Sequence, residues 1–275
     1  MIEVPEADVL AGQLTTCLMG KTIENVIAGS SPHKFAWYYG SPDTYPSIAT
    51  GNVFRRARSV GGMVEGAADG VRFLFSEGAN LRYVPAGSVP PEKHQLLVRF
   101  SDESMLAASV RMYGGVGVFR DGELDNEYYL IALQKPSPLS MDFDERYFRT
   151  LLAAPEIGRL SVKAFLATEQ RIPGFGNGVL QDVLYKARLN PKRRLSELDD
   201  ERRGLVFEAV KTVLREMADR GGRDTELDLH GEPGGYTTIM SRRTVGRPCP
   251  SCDHPIAKSA YLGGSVYFCP KCQPP

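Results

Sequence analysis

The chain has 275 residues, 42% hydrophobic and 24% charged, and its 33 Lys and Arg balance 33 Asp and Glu. Those proportions belong to an ordinary globular protein and exclude a disordered or fibrous one. No eighteen-residue apolar run is present, so no membrane span or membrane partner is expected. Met1-Ile2-Glu3-Val4-Pro5-Glu6 lacks the basic start and apolar stretch of a secretory leader, which places the chain in the cytoplasm, nucleoid-associated if prokaryotic.

The charge is unevenly distributed. Arg171 to the end carries 17 Lys and Arg against 13 Asp and Glu, and the first 170 residues carry 16 against 20. A basic half suits local contact with a polyanion, although two ordinary solvated surfaces would look the same.

Pro5 to Gly20 reads as a helix, with Glu6 and Asp8 in its first turn and Leu10, Leu14, Cys17 and Leu18 on one face. Cys17 on that stripe is read as an inert buried thiol. From Lys21 to about Ile131 short β-branched and aromatic runs predict strands, among them Thr22–Ile27, Gly62–Glu65, Val71–Ser76, Gln95–Ser101 and Val116–Phe119. Asp69-Gly70 and Asp121-Gly122 mark turns, and the spacing predicts a sandwich or barrel. Pro136 and Pro138 mark a linker. Helices are then predicted over Glu145–Leu152, Ser161–Glu169, Gly178–Arg188 and Asp199–Arg220, the last begun by Ser196 and Asp199 and closed by Gly221-Gly222.

Four of the five cysteines crowd into the last 27 residues. Cys249-x-x-Cys252 and Cys269-x-x-Cys272, sixteen residues apart, have the spacing of a tetrahedral, structural zinc site with one Zn2+. Two disulfides are the competing reading, with no sign of an oxidising compartment to favour it. Ile256–Lys258 and Ser265–Phe268 read as a hairpin turning near Gly263-Gly264.

Before the third predicted helix stands Arg171-Ile-Pro-Gly174-Phe-Gly176-Asn177-Gly178. Asn177 is placed to cap that helix, and Gly174 and Gly176 leave the backbone uncovered. Bare amides at a helix start bind phosphate, with Lys163 as a nearby cation. A plain helix–turn–helix connection would carry the same glycines.

Taken together, the Pro5-Glu6 helix, the β-rich first part, Gly174-Phe175-Gly176-Asn177, Leu189-Asn190-Pro191, the Arg55-Arg56-Ala57-Arg58 stretch and the four-cysteine end resemble the formamidopyrimidine-DNA glycosylase and endonuclease VIII family along the whole length. The resemblance implies an α+β fold: an N-terminal β-sandwich with flanking helix (1–135), a helix-two-turn-helix DNA-binding domain (136–240) and a zinc β-hairpin (241–275). It implies a monomer that binds damaged double-stranded DNA in base excision repair. Glu3 and Glu6 match the family's catalytic acids; Arg58, Lys163, Gly174, Gly176 and Asn177 match DNA contacts.

Some positions depart from the family's pattern. Ile2 stands where the family has its nucleophilic proline amine, and the amine of a retained Met1 would be displaced by about 3.8 Å. Arg58 replaces a lysine, Gly264 aligns with the hairpin's arginine, and Glu77 and Arg111–Gly115 occupy the places of the gap-filling residues. Two readings follow: a glycosylase in which Glu3 activates water without the lyase step, or a damaged-DNA-binding protein without catalysis. Lys34 is a candidate replacement amine, with a solvated loop lysine as the plainer reading. A protein-binding zinc ribbon is a more distant third.

Overall fold

The computed structural model describes residues 1–275. Helix α1 (Val4–Leu18) begins one residue before Pro5 and buries Leu10, Leu14 and Leu18 of the expected stripe, whereas Cys17, read as a buried thiol, is only half-buried. Nine strands follow, interrupted by the short α2: β1 (Ile23–Ala28), β2 (Ala36–Tyr39), α2 (Tyr45–Ala49), β3 (Phe54–Val60), β4 (Met63–Ala68), β5 (Val71–Ser76), β6 (Ala79–Val84), β7 (Leu96–Phe100), β8 (Met105–Val110) and β9 (Gly114–Arg120). They form two sheets, β1-β7-β8-β6 and β2-β9-β5-β4-β3, with only the β2–β9 pair parallel. Leu14, Phe54, Phe73, Phe75, Leu96 and Phe100 are among the side chains of the shared core. This is the expected sandwich with a flanking helix.

Four strands of the strand-rich stretch, β2, β3, β6 and β8, are not among the runs named from local pattern, each for a visible reason. β3 is dominated by charge, and β6 and β8 dilute their apolar alternation with Asn, Arg, Ala and Ser. β2 depends on a distant partner. Its Trp37 and Tyr39 lie over Gly115 and Gly117 of β9, where any Cβ would strike their rings. The glycines of β9 are thus a bed for aromatic side chains, which only the parallel pairing creates.

Glu127–Gln134, within and beyond the segment read as strand-rich, is a helix, α3, whose N-cap Asn126 accepts from the Tyr129 amide at 3.0 Å. Its Tyr129 and Ala132 cover the outer face of the five-stranded sheet against Val60, Leu74 and Phe119. The aromatic Tyr128-Tyr129 run imitates a strand; the cap and the covered face make it helical.

The second half contains α4 (Glu145–Leu152), α5 (Val162–Ala167), α6 (Asn177–Lys186) and α7 (Asp200–Asp219) around Phe148, Phe165, Leu180, Val210 and Leu214. Asp199, not Ser196, caps α7, accepting from the Arg202 amide at 2.8 Å. Strands β10 (Ala257–Tyr261) and β11 (Gly264–Phe268) form the terminal hairpin, turning at Leu262-Gly263, both with positive φ. The halves interlock: Val4 is buried in the helical core, and Leu229 in the sandwich core.

Candidate functional site

The start of α6 is where the first and second halves meet. Gly176 is its N-cap, and the amides of Gly178 and Val179 donate to the two carboxylate oxygens of Glu3 at 2.9 and 2.7 Å. An anion at a helix start is favoured by the orphan amides and the dipole. Here the anion comes from the chain itself. The expectation of bare amides awaiting phosphate is therefore corrected, as is that of Asn177 as the cap. Gly176 is needed because a Cβ there would overlap the Glu3 carboxylate. Gly174 (φ 77°) serves the domain junction: its carbonyl accepts from the Val4 amide at 3.1 Å, and a Cβ would run into the backbone of Gly62.

Both acids named from the sequence, Glu3 and Glu6, are buried, and Arg223 lies between them. Its Nε and Nη2 donate to the two oxygens of Glu6 at 2.8 and 2.7 Å, and its Nη1 lies 3.4 Å from Glu3 Oε2. The Arg223 amide also donates to Glu6 Oε1 at 3.2 Å, and Nη2 reaches the Met1 carbonyl at 3.3 Å. Burial pushes the Glu3 carboxyl above its ordinary range, with Arg223 and the α6 amides pulling the other way. Sequence reasoning missed Arg223. Its only local signal is a position just past Gly221-Gly222, which says that a helix ends and nothing about an ion pair.

Ile2 is buried and donates its amide to the Glu77 carbonyl at 2.7 Å, so the second position offers no free amine. The Met1 ammonium pairs with Glu226. Beside them opens a cavity of about 160 Å³ lined by Met1, Glu6, Asn80, Arg111, Tyr113 and Glu226, among others. Glu77, which precedes the cavity-lining Gly78, has a positive φ of 52°.

Lys163 and Asn177 meet at the hairpin. Lys163 Nζ donates to the Tyr261 carbonyl at 2.7 Å, and Asn177 Nδ2 to the Ser265 carbonyl at 2.9 Å. Burial lowers the Lys163 pKa with no carboxylate nearby to offset it. Asn177 Oδ1 is buried and has no partner. Gly264 sits directly over this pair: a Cβ there would stand 3.5 Å from Lys163 Nζ and 3.7 Å from Asn177 Nδ2. Three elements far apart in sequence thus converge on one cation, which is a place an anion would be stabilised.

Arg58 is differently placed. On β3 it faces α3 and makes a bidentate pair with the buried Glu65 of β4, at 2.8 and 3.1 Å, while Tyr129 Oη donates to the same carboxylate at 2.5 Å. Half of its side chain remains exposed. Lys34 is exposed on the loop before β2, its Nζ 5.3 Å from the centre of the Phe35 ring.

The four cysteine sulfurs lie within 4.8 Å of one another, with Cys249–Cys272 at 3.8 Å and Cys252 at 3.4 Å from both Cys269 and Cys272. No disulfide joins them. A tetrahedron with metal–sulfur bonds of about 2.3 Å has edges of roughly 3.8 Å, so the thiols fit one thiophilic ion. Tyr185 of α6 and Ile256 pack against the cluster, tying it to the helix that carries Asn177.

No protein-family model matches the chain. It is 27% identical over 280 residues to a formamidopyrimidine-DNA glycosylase of Photobacterium profundum, covering 99% of this chain and all of that one. The crystal structure of the MutM (Fpg) protein of Thermus thermophilus superposes with a TM-score of 0.81 at 25% identity, covering 98% of each chain. Lactococcus lactis Fpg, solved in complex with DNA containing an abasic site, has the same fold, with a TM-score of 0.80, 19% identity and coverage of 98% and 99%.

Proposed function

We propose that the chain is a member of the formamidopyrimidine-DNA glycosylase and endonuclease VIII family and a base-excision DNA glycosylase acting on damaged duplex DNA, a reading supported by its full-length relatives and shared fold. The observation that carries the reading is the convergence of Asn177 and the four-cysteine hairpin on Lys163, a buried cation without a carboxylate partner. One Zn2+ held by Cys249, Cys252, Cys269 and Cys272 pins that hairpin and takes no part in the reaction.

A phosphate of the damaged strand binds over Gly264, where it accepts from Lys163 and Asn177. Because Lys163 has no carboxylate partner, a phosphate supplies the missing charge and restores its ordinary pKa. Exchanging Lys163 for Gln will lower duplex affinity and reduce the slope of log K against log salt by about 0.9. Equal slopes for the two proteins, measured by fluorescence anisotropy between about 50 and 200 mM salt, would remove Lys163 from the interface.

The everted base enters the cavity of about 160 Å³ next to Glu6 and Asn80. Water attacks the deoxyribose C1′ as the C1′–N bond breaks; Glu3 accepts the water proton, and the departing base takes it up. With Ile2 in place of a proline amine, no iminium forms at that position and strand scission does not follow base release. Glu3→Gln is expected to reduce base release at least a hundredfold while duplex binding persists. In the wild type the ionised form of Glu3 is the active one. The rate should therefore fall with acidification through a pKa above the ordinary carboxylate value of 4.5, because burial raises it. Base release measured by chromatography, with an unchanged rate in Glu3→Gln, would assign the proton transfer to another group.

A further inference from the structure

Next to the cavity, the start of β2 with the loop before it and the turn before β9 expose Phe35, Trp37, Met112 and Tyr113 side by side. Their adjacency is fixed by backbone pairing. Gly114 donates to the Phe35 carbonyl at 3.1 Å, Trp37 is in register with Gly115, and Gly78 donates to the Tyr113 carbonyl at 3.0 Å. The row continues to the N-terminal segment, where Tyr113 Oη lies 3.3 Å from Met1 Sδ and Ile2 pairs with Glu77. Trp37 lies on Gly115, whose missing side chain is what lets the indole sit there. The indole Nε1 edge rests against Gly115 while the residue stays 37% exposed. Lys34 and Arg111 flank the row, and Lys34 Nζ stands over the Phe35 ring. Aromatic faces interleaved with cations are the arrangement on which unpaired nucleobases stack.

We propose that Trp37, backed by Gly115 and neighboured by Phe35, is a stacking shelf for the orphan base of the undamaged strand, the one left without a partner when the damaged base enters the cavity. This rests on the duplex-binding reading above. The cavity offers hydrogen-bonding side chains, Glu6 and Asn80 among them, and suits the everted base. The shelf is built from apolar and aromatic side chains along the same edge, so it has little with which to select one base over another. It therefore serves discrimination between duplexes with and without an unpaired base, with little preference for which base it is.

Trp37 is the only tryptophan of the chain, so its emission reports on this place alone. The wild-type protein is titrated with three duplexes: fully paired, with an abasic site opposite cytosine, and with abasic sites on both strands at the same position. Anisotropy of a labelled strand follows binding while Trp37 emission follows stacking. Emission is expected to be quenched at least twofold by the duplex that presents cytosine and to change little with the doubly abasic one, though both bind. Phe35→Ala should weaken binding of the cytosine-bearing duplex about tenfold relative to the doubly abasic one. Binding with equal quenching by both abasic duplexes, or with none, overturns the shelf and leaves the glycosylase reading intact. Absence of any anisotropy change overturns duplex binding itself, and the shelf with it.

Discussion

Replacing Arg223 with methionine will destabilise the protein by about 3–5 kcal/mol at neutral pH, because it strands two buried carboxylates. Glu3, Glu6 and Arg223 each keep 3–5% of their side-chain surface exposed. Water cannot replace the guanidinium. The α6 amides still hold Glu3, but Glu6 loses its bidentate partner and keeps only the backbone amides of Glu3 and Arg223. For a chain of this length the melting temperature should drop by roughly 10 °C. The sign of the pH dependence follows from the charges. Burial raises the Glu3 carboxyl above the ordinary 4.5 and Arg223 pulls it back, so without Arg223 the folded form binds more protons than the unfolded one. The deficit is fully present above the raised value and shrinks as pH falls toward 4.5. Urea unfolding at pH 7 and pH 5 tests this. A deficit under about 1 kcal/mol at pH 7, or one that grows on acidification, would mean that the three charges are not coupled as their geometry indicates. Arg223→Met combined with Glu3→Gln and Glu6→Gln should recover much of the loss, since removing a whole buried ion cluster costs far less than breaking it.

Taking away the metal is expected to have the second large effect, on binding rather than on the global fold. The hairpin has almost no core of its own: Cys249, Cys269, Ile256 and Met240 are buried around Tyr185, and the two main cores lie elsewhere. Structural zinc sites of this kind contribute folding free energy of about 10–16 kcal/mol in isolated fingers. When the ion is stripped, β10 and β11 should lose their register while the sandwich and helical cores remain folded. Lys163 then loses the Tyr261 carbonyl and Asn177 the Ser265 carbonyl, and the anion site between them opens to water. Duplex affinity should fall about a hundredfold, equivalent to roughly 3 kcal/mol. Cys272→Ser should do the same without a chelator. Native mass spectrometry should find one zinc per chain. A protein that holds no metal, or that binds duplex equally well before and after chelation, would reduce the four cysteines to a reduced thiol cluster with no part in DNA binding.

The local pattern of residues was enough to settle the four-cysteine cluster, the helix beginning at Pro5, three of the four second-half helices to within two residues, and α4 to the residue. These features rest on contacts between near neighbours in sequence: thiols two apart, apolar positions at helical spacing, capping groups beside the amides they serve. Family resemblance then named Glu3, Glu6, Lys163 and Asn177 before any geometry was known. What those residues do to one another was not legible. That Glu3, and not a ligand, occupies the start of α6 depends on a contact 175 residues long, and Arg223 reaches Glu6 across 217. Nothing near Arg223 in the chain marks it as buried, because its charge is tolerated only where two carboxylates already wait. The parallel strand β2 is similar: Trp37 and Tyr39 need the bare glycines of β9 beneath them, and neither segment predicts the other. Sequence decides which elements can form and which chemistry is at hand. Long-range packing decides which charges are neutralised internally and which, like Lys163, are left without a carboxylate.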